Sequence, residues 1–203
     1  MSIQLEILPP SMRRIKPAVP RHMLNWISDF AQRAATLASV TKGSWVIHLV
    51  GDQHMIQYHK QTMNLATTTD VLTINYTDET INEAGLDLET IICVDEAQRQ
   101  AQIRKHRRPE LEILLYAIHS LLHCIGYDDL TARQALRMHR KEDLILRKMG
   151  LPAVYFTSPE TIKVTRHGPL TVPGAREATH LPTAHGPTGR RKPLRRNGKE
   201  GQR

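Results

Sequence analysis

The sequence predicts an α+β fold, a small mixed β-sheet of about four strands covered by helices. Over residues 1–155, short segments with the period of a strand alternate with longer segments with the period of a helix. One helical segment, residues 111–125, is apolar on almost every side. Such a helix is typical of the buried centre of a domain, so we expect the other elements to pack around it.

The first half of the chain predicts two strands and two helices. Residues 3–7 alternate apolar and polar side chains and predict a strand. Pro20 can occupy the first turn of a helix that runs to about residue 38. Residues 45–50 are apolar and rich in β-branched side chains, which predicts the second strand. Asp52 is predicted to cap a short helix that ends near residue 62.

The second half predicts the remaining strands and helices. Two strands are predicted at residues 71–76 and 90–94. Asp95 is predicted to cap a polar helix through about residue 105. Pro109 opens the apolar helix, and Gly126 follows its end, where a left-handed residue is favoured. A last amphipathic helix is predicted over residues 131–149, with glycine and proline as stop signals.

Residues 156–203 are predicted to be a disordered tail. They hold six of the twelve prolines and six of the eleven glycines, and they show almost no apolar periodicity. They also carry ten Lys or Arg residues against three Asp or Glu residues, a net charge of +7 out of +8 for the whole chain. A basic arm that binds RNA and a solvated extension without a dedicated role are equally good interpretations. Candidate RNA contacts in the tail are Arg190, Arg191, Lys192, Arg195 and Arg196.

Composition also bears on the compartment. No apolar run reaches the roughly 18 residues that predict a membrane-spanning helix, and the first ten residues lack the pattern of a secretory signal. Cys93 and Cys124 both lie in apolar stretches, where buried reduced thiols are favoured over a disulfide. We therefore expect a cytoplasmic protein without a membrane partner, and the sequence does not decide its oligomeric state.

A short segment around the end of the apolar helix holds the residues best suited to bind a metal. His119 and His123 are four residues apart, so their imidazoles share one helix face and can converge on one ion. After the glycine turn, Asp129 can supply a third ligand. Three protein ligands and a water form the usual catalytic zinc site. Because buried histidines need polar partners, the sequence favours one Zn²⁺ per chain over two structural histidines.

Three alternatives bear on this site. The spacing resembles that of zinc peptidases, but Ser120 stands where those enzymes carry the glutamate base, which disfavours a metallopeptidase. Asp128 competes with Asp129 as the third ligand, and Asp129 is preferred. His139 on the next helix could approach the ion, although we interpret it as facing solvent.

Three blocks of the sequence resemble the YbeY family of bacterial endoribonucleases, also described as rRNA maturation factors. The family pattern His-Gly-x-Leu-His-Leu-x-Gly-Tyr-Asp-His matches residues 119–129, with Ser120, Cys124 and Asp129 as departures. The block Pro-Thr-Asp-Val-Leu-Ser-Phe resembles residues 68–74, and Gly-Asp-Ile-Val-Ile-Cys resembles residues 88–93. The order and spacing of the blocks agree, and the resemblance covers roughly residues 3–151.

The resemblance implies a zinc-dependent endoribonuclease specific for single-stranded RNA. It would act with the small ribosomal subunit, in maturation of the 3′ end of its rRNA and in ribosome quality control. By position, His119, His123 and Asp129 are the zinc ligands, and a zinc-bound water is the expected reactive group. Many family members carry an arginine where Met63 stands here, which leaves His59 and Lys60 as the nearest candidate phosphate contacts.

Two departures from the family, Asp129 and Met63, concern activity rather than fold. A carboxylate ligand reduces the pull of zinc on a bound water, and the missing arginine removes a phosphate contact. The alternative hypothesis is a non-catalytic ribosome-associated RNA-binding factor with a structural metal. Further RNA contacts in either case are Arg104, Lys105, Arg107 and Arg108, although a charge run is most often a solvated loop.

Overall fold

The computed structural model describes residues 3–9, 19–77, 85–156 and 184–185 of the 203-residue chain. Within them the predicted α+β fold is confirmed, with five helices around a mixed sheet of four strands and a two-residue fifth strand. The strands are β1 Gln4–Leu8, β2 Gly43–Val50, β3 Val71–Asn75, β4 Leu86–Cys93 and β5 Ala184–His185. The helices are α1 Arg21–Leu37, α2 Asp52–Met63, α3 Val94–Ile103, α4 Pro109–Cys124 and α5 Ala132–Lys148.

The sheet has the strand order β1-β2-β4-β3-β5. Strands β1, β2 and β4 are parallel, and β3 runs antiparallel to β4. Trp45 lies opposite Leu88 in the register, and its indole Nε1 donates a buried hydrogen bond of 2.9 Å to Thr90 Oγ1. A central strand pair therefore carries its own polar contact inside an otherwise apolar layer.

The core is built around α4, in which eleven of sixteen residues are buried. Alternate residues of β4 face opposite sides of the sheet. Leu88 and Ile92 join α4 and α1 in the main core, whereas Ile91 joins a smaller cluster around Met55 of α2 on the other face. The prediction that the helix with the two histidines lies at the centre is therefore confirmed.

The ends of the last two helices follow the predicted signals. Gly126 has φ +89°, its N–H donates to the carbonyl of His123, and the N–H of Tyr127 donates to the carbonyl of Leu122. This pair of bonds is the Schellman motif, which reverses the chain at once after α4. Thr131 caps α5 and exchanges hydrogen bonds with Gln134, which completes a capping box.

Two predicted caps were wrong. The N-cap residues of α2 and α3 are Gly51 and Cys93, and Asp52 and Asp95 lie in the first turns instead. Asp95 Oδ2 accepts a hydrogen bond of 2.8 Å from the backbone N–H of Asp52. One aspartate thus stabilises the start of a neighbouring helix, an arrangement that depends on two strands ending side by side.

Most of the tail lies outside the described residues. Of residues 157–203 only β5 is described, and it pairs in parallel with Ile74 and Asn75 of β3. The predicted disorder of the tail and its candidate RNA contacts therefore stay predictions. No helix among the described residues is both long and apolar enough to cross a membrane.

Candidate metal centre

His119, His123 and Asp129 come together at the C-terminal end of α4. The two imidazole Nε2 atoms are 3.1 Å apart. Asp129 places Oδ2 at 3.7 Å from Nε2 of His119 and Oδ1 at 3.9 Å from Nε2 of His123. One ligand atom from each residue thus lies within 4.8 Å of the other two.

Local backbone structure explains this convergence. The histidines are one helical turn apart, and the Schellman turn brings the following residues back toward their face. Asp128 Oδ1 accepts from the backbone N–H of Asp129 at 2.8 Å, and its Oδ2 accepts from Gln134 Nε2 at 3.4 Å. Asp128 is thus engaged with the turn and with α5, while Asp129 faces the imidazoles.

The second nitrogen of each imidazole is held by an acceptor. His119 Nδ1 donates to Glu142 Oε1 at 2.7 Å, and His123 Nδ1 donates to the carbonyl of Tyr127 at 3.1 Å. These partners assign the Nδ1–H tautomer to both neutral rings. Both Nε2 lone pairs and the Asp129 carboxylate then face one another, an arrangement that only a shared proton or a cation makes favourable.

The donor set and its spacing fit zinc. Bonds of 2.0–2.1 Å in tetrahedral geometry put neighbouring ligand atoms about 3.3 Å apart. The two Nε2 atoms, 3.1 Å apart, are close to that separation. The Asp129 carboxylate is slightly farther away, with one oxygen 3.7 Å from His119 Nε2 and the other 3.9 Å from His123 Nε2. Burial disfavours a charged His119, but hydrogen bonding to Glu142 and nearby carboxylates raise its pKa. Burial and the neighbouring His119 lower the pKa of His123, so the pair favours a single positive charge.

Glu142 was missed by the sequence interpretation. It is fully buried, and its second oxygen accepts from His139 Nδ1 at 2.9 Å. Burial alone would raise its pKa, but the hydrogen bonds from His119 and His139 hold that pKa at about 2. The sequence did offer a signal for this residue. Glu142 shares the apolar face of an amphipathic helix with Met138 and Ile145, and a glutamate is rarely buried on such a face unless it is paired.

His139 does not face solvent, which corrects the earlier interpretation. Its side chain is 17% exposed, and its ring stacks on Tyr155 with the centroids 3.7 Å apart. Its partner Glu142 lies three residues further along α5, on the inward face. His139 is thus connected to the candidate metal ligand His119 through the Glu142 carboxylate.

Ser120 contacts the other two sequence blocks that resemble the family, residues 68–74 and 88–93. It is fully buried and its hydroxyl lies 2.9 Å from Thr73 Oγ1 and 2.8 Å from Thr90 Oγ1. Its side chain points toward the sheet, away from the histidine face. The position that carries a general base in zinc peptidases is thus a structural contact here.

The candidate phosphate contacts differ in accessibility. His59 is only 3% exposed, and its Nδ1 donates to the carbonyl of Thr67 at 2.7 Å. Lys60, one residue later, is exposed near the end of α2. Asp70 Oδ1 accepts from the N–H of Val71 at 2.8 Å, which braces the start of β3. Lys60 is therefore the more accessible of the two candidates.

The basic run before α4 is only partly free. The Arg104 guanidinium lies 3.5 Å from the buried Glu112 and 5.1 Å from the ring centroid of Tyr155. Arg108 is paired with Glu110 at 2.9 Å. The exposed members of the run are Lys105 and Arg107. The run directly precedes α4, whose first residue, Pro109, lies ten residues before His119, which is about 15 Å along a helix.

A second cluster of possible metal ligands is already neutralised. Asp52, Cys93 and Asp95 also place ligand atoms within 4.8 Å of one another. Arg99 makes two hydrogen bonds of 2.8 Å to the Asp52 carboxylate. Burial raises the pKa of the Cys93 thiol to about 12, and that thiol donates to Asp52. An arginine and a protonated thiol thus stand where a metal would have to bind.

Comparison with known proteins identifies the family. The family model described as Endoribonuclease YbeY matches residues 12–150. An Endoribonuclease YbeY of Neorickettsia sennetsu is 33% identical over 110 residues, 54% of this chain and 76% of its own. Another, of Bacillus licheniformis, is 28% identical over 160 residues, 74% of this chain and 98% of its own.

A solution structure from Thermotoga maritima is also similar, at 16% identity and a TM-score of 0.47, over 73% of this chain and 91% of that one. The sequence matches decide the assignment, because the family model spans the chain from before α1 to past the end of α5 and leaves out β1. The chain belongs to the YbeY endoribonuclease family.

Proposed function

We propose that this protein is a zinc-dependent endoribonuclease that cuts single-stranded RNA. The observation that carries the proposal is the convergence of His119, His123 and Asp129, with both Nδ1 atoms held by acceptors. The family supplies the substrate class, RNA. In more detail, we propose that the protein acts in maturation of the small-subunit rRNA 3′ end and in ribosome quality control. This role implies a cytoplasmic location and a ribosomal partner.

The residues of the site have separate tasks in this proposal. A zinc ion held there supplies a Lewis acid that polarises a phosphoryl oxygen and acidifies water. His119 and His123 present Nε2, and Glu142 and the carbonyl of Tyr127 keep both rings in the tautomer that ligation requires. Asp129 adds a negative charge that a third histidine would not, so the site is less electrophilic than a three-histidine site.

Two routes for RNA cleavage fit this site. Either water or the 2′-hydroxyl next to the scissile phosphate attacks the phosphorus. Attack by water breaks one phosphorus–oxygen ester bond and leaves a linear phosphate on one product and a hydroxyl on the other. Attack by the 2′-hydroxyl breaks the bond to the 5′ oxygen and leaves a 2′,3′-cyclic phosphate and a 5′-hydroxyl. End-group analysis of the products, with a substrate that is 2′-deoxy at the cleaved position, separates the two.

The second candidate is a non-catalytic RNA-binding factor with a structural metal. It is favoured by the absence of any basic residue between Gln61 and Asp70, where many family members carry an arginine. A metallopeptidase is disfavoured because Ser120 occupies the position of the general base of those enzymes. Its side chain is buried and hydrogen-bonded to Thr73 and Thr90.

One assay distinguishes these candidates. Full-length protein, purified without added metal, is analysed for zinc and incubated with a labelled single-stranded RNA, a duplex and an unstructured peptide. We expect about one zinc per chain and cleavage of the single strand alone. Cleavage should stop with a chelator and return with zinc, and the His123→Ala variant should be inactive throughout. Bound zinc without RNA cleavage would support the non-catalytic factor, and cleavage of the peptide would support the peptidase.

A further inference from the structure

The outward face of α5 carries positive charge with nothing to neutralise it. The helix has six Lys or Arg residues and two acidic residues, Glu142 and Asp143. Both acidic side chains are buried and engaged inward. Glu142 binds the two histidines, and Asp143 accepts from the backbone N–H groups of residues 154–156 at 2.8–3.2 Å. The charge that remains on the surface of this helix is therefore basic.

Three of these residues form one line, the arginine stripe Arg133, Arg137 and Arg140. Spacings of four and three residues place them on one helix face, over about 10 Å of its length. All three are exposed and line a shallow groove with Gln134 and Leu136. Among the described residues no carboxylate forms an ion pair with any of them. They differ in this from Arg99 and Arg108, which are paired.

The arginine stripe is next to the metal centre. The guanidinium of Arg137 lies 5.2 Å from the ring centroid of Tyr127, a cation–π contact. The backbone carbonyl of the same Tyr127 accepts the hydrogen bond from His123 Nδ1. A polyanion that follows the arginine stripe is thus led to the metal ligands.

We propose that the arginine stripe binds the phosphate backbone of single-stranded RNA and guides the strand to the metal centre. The inference rests on the proposed function and adds to it the surface that holds the substrate. Guanidinium groups match phosphate oxygens in charge and in bidentate geometry. The arginine stripe thereby supplies phosphate contacts that residues 61–70, which lack a basic side chain, do not provide.

The test measures binding separately from cleavage. Three full-length proteins are compared: wild type, Arg137→Gln/Arg140→Gln and the control Arg21→Gln/Lys42→Gln. Each is titrated with a fluorescent single-stranded oligonucleotide. The oligonucleotide is 2′-O-methylated, which prevents attack by its 2′-hydroxyl groups, and zinc is chelated to prevent hydrolysis. The control removes the same charge from two exposed residues far along the chain from α5. Each lost phosphate contact should make the log–log salt slope less negative by about 0.7 and weaken binding about fivefold at 0.1 M salt.

We expect the arginine-stripe variant to lose about 1.4 in slope, and adding Arg133→Gln to bring the loss to about 2. The control should keep the wild-type slope, and equal melting temperatures should show that all variants are folded. Equal slopes and affinities for the stripe variant and the control would overturn the inference. The same variants are also titrated with vesicles that contain anionic lipid, and a defect seen on the vesicles and not on RNA would overturn the inference as well.

The proposed function can fail independently of this inference. Wild type that binds RNA through the arginine stripe but never cleaves it would contradict the nuclease and leave the arginine stripe supported. Wild type that cleaves RNA with zinc, while the stripe variant binds and cleaves like the control, would contradict the arginine stripe alone.

Discussion

Replacing Glu142 by glutamine should weaken zinc binding without unfolding the protein. Glu142 accepts hydrogen bonds of 2.7 Å from His119 and 2.9 Å from His139, one on each oxygen. A glutamine of the same shape has one acceptor oxygen, so its amide N–H would meet the N–H of one histidine. If His119 changes tautomer to escape this contact, its Nε2 carries a proton and no longer binds a metal.

The expected loss follows from the kind of contact removed. Partners that orient a metal-ligating histidine are worth about 10–100-fold in metal affinity. That factor corresponds to about 1.4–2.8 kcal/mol of binding free energy. We expect the upper half of this range, because Glu142 is fully buried and no water can replace it as the acceptor for His119.

The assay is a competition titration of zinc against a chromophoric chelator, made on folded wild type, Glu142→Gln and Asp143→Asn. Asp143 is the matched control, because it is the adjacent buried carboxylate of α5 and contacts backbone N–H groups rather than histidines. Asp143→Asn should lower the free energy of unfolding by about 1–3 kcal/mol and leave the zinc Kd unchanged. ¹⁵N chemical shifts of the His119 ring should report its tautomer directly.

The reasoning is refuted if folded Glu142→Gln binds zinc within about threefold of wild type, well under the expected range. It is also refuted if Asp143→Asn weakens zinc binding as much. The first result would show that the His119 ring is held by packing alone, and the second would show that the affinity follows the overall stability of α5.

Three further predictions concern other parts of the chain. Asp129→Ala should raise the zinc Kd by more than about 100-fold, beyond the effect of an outer partner, whereas Asp129→His should keep zinc bound; tight binding by the alanine variant would place the third ligand elsewhere. Ser120→Ala should lower the free energy of unfolding in urea by about 1–3 kcal/mol, because the buried Thr90 and the partly buried Thr73 each lose a hydrogen bond, and a loss under about 0.5 kcal/mol would contradict that role. Burial raises the pKa of Cys93 and of Cys124 to about 12, so iodoacetamide at pH 8 should alkylate both slowly in the folded protein and rapidly in urea. Fast alkylation of either thiol in the native state would show that it is accessible.

Two kinds of error in the sequence interpretation had different causes. The caps Asp52 and Asp95 were wrong by one or two positions, because a cap is identified by the backbone angles of its residue and not by residue type alone. His139 was predicted to face solvent, and the structure places it against Tyr155 and Glu142 instead. Its true partner, Glu142, lies on the buried stripe, and a charged residue there is rare unless it is paired.

The sequence by itself determined the local features of this protein. The four-residue spacing of His119 and His123 fixes their relation, because the helix period is set by the backbone and not by the rest of the fold. Gly126 fixes the end of that helix for the same kind of reason, since its left-handed conformation costs least for a residue without a Cβ. The alternation of strand and helix patterns was likewise enough to predict the fold class.

Only the tertiary structure decided which distant residues meet. Glu142 is 23 positions from His119, and Thr73 is 47 positions from Ser120, so no local period relates them. Their contacts depend on which face of α5 and which face of β3 turn toward α4, and the packing of the whole core selects those faces. The same packing turns Glu142 and Asp143 inward and leaves the arginine stripe on the surface. A carboxylate can be buried at low cost in free energy only where the surrounding structure provides hydrogen-bond donors for it.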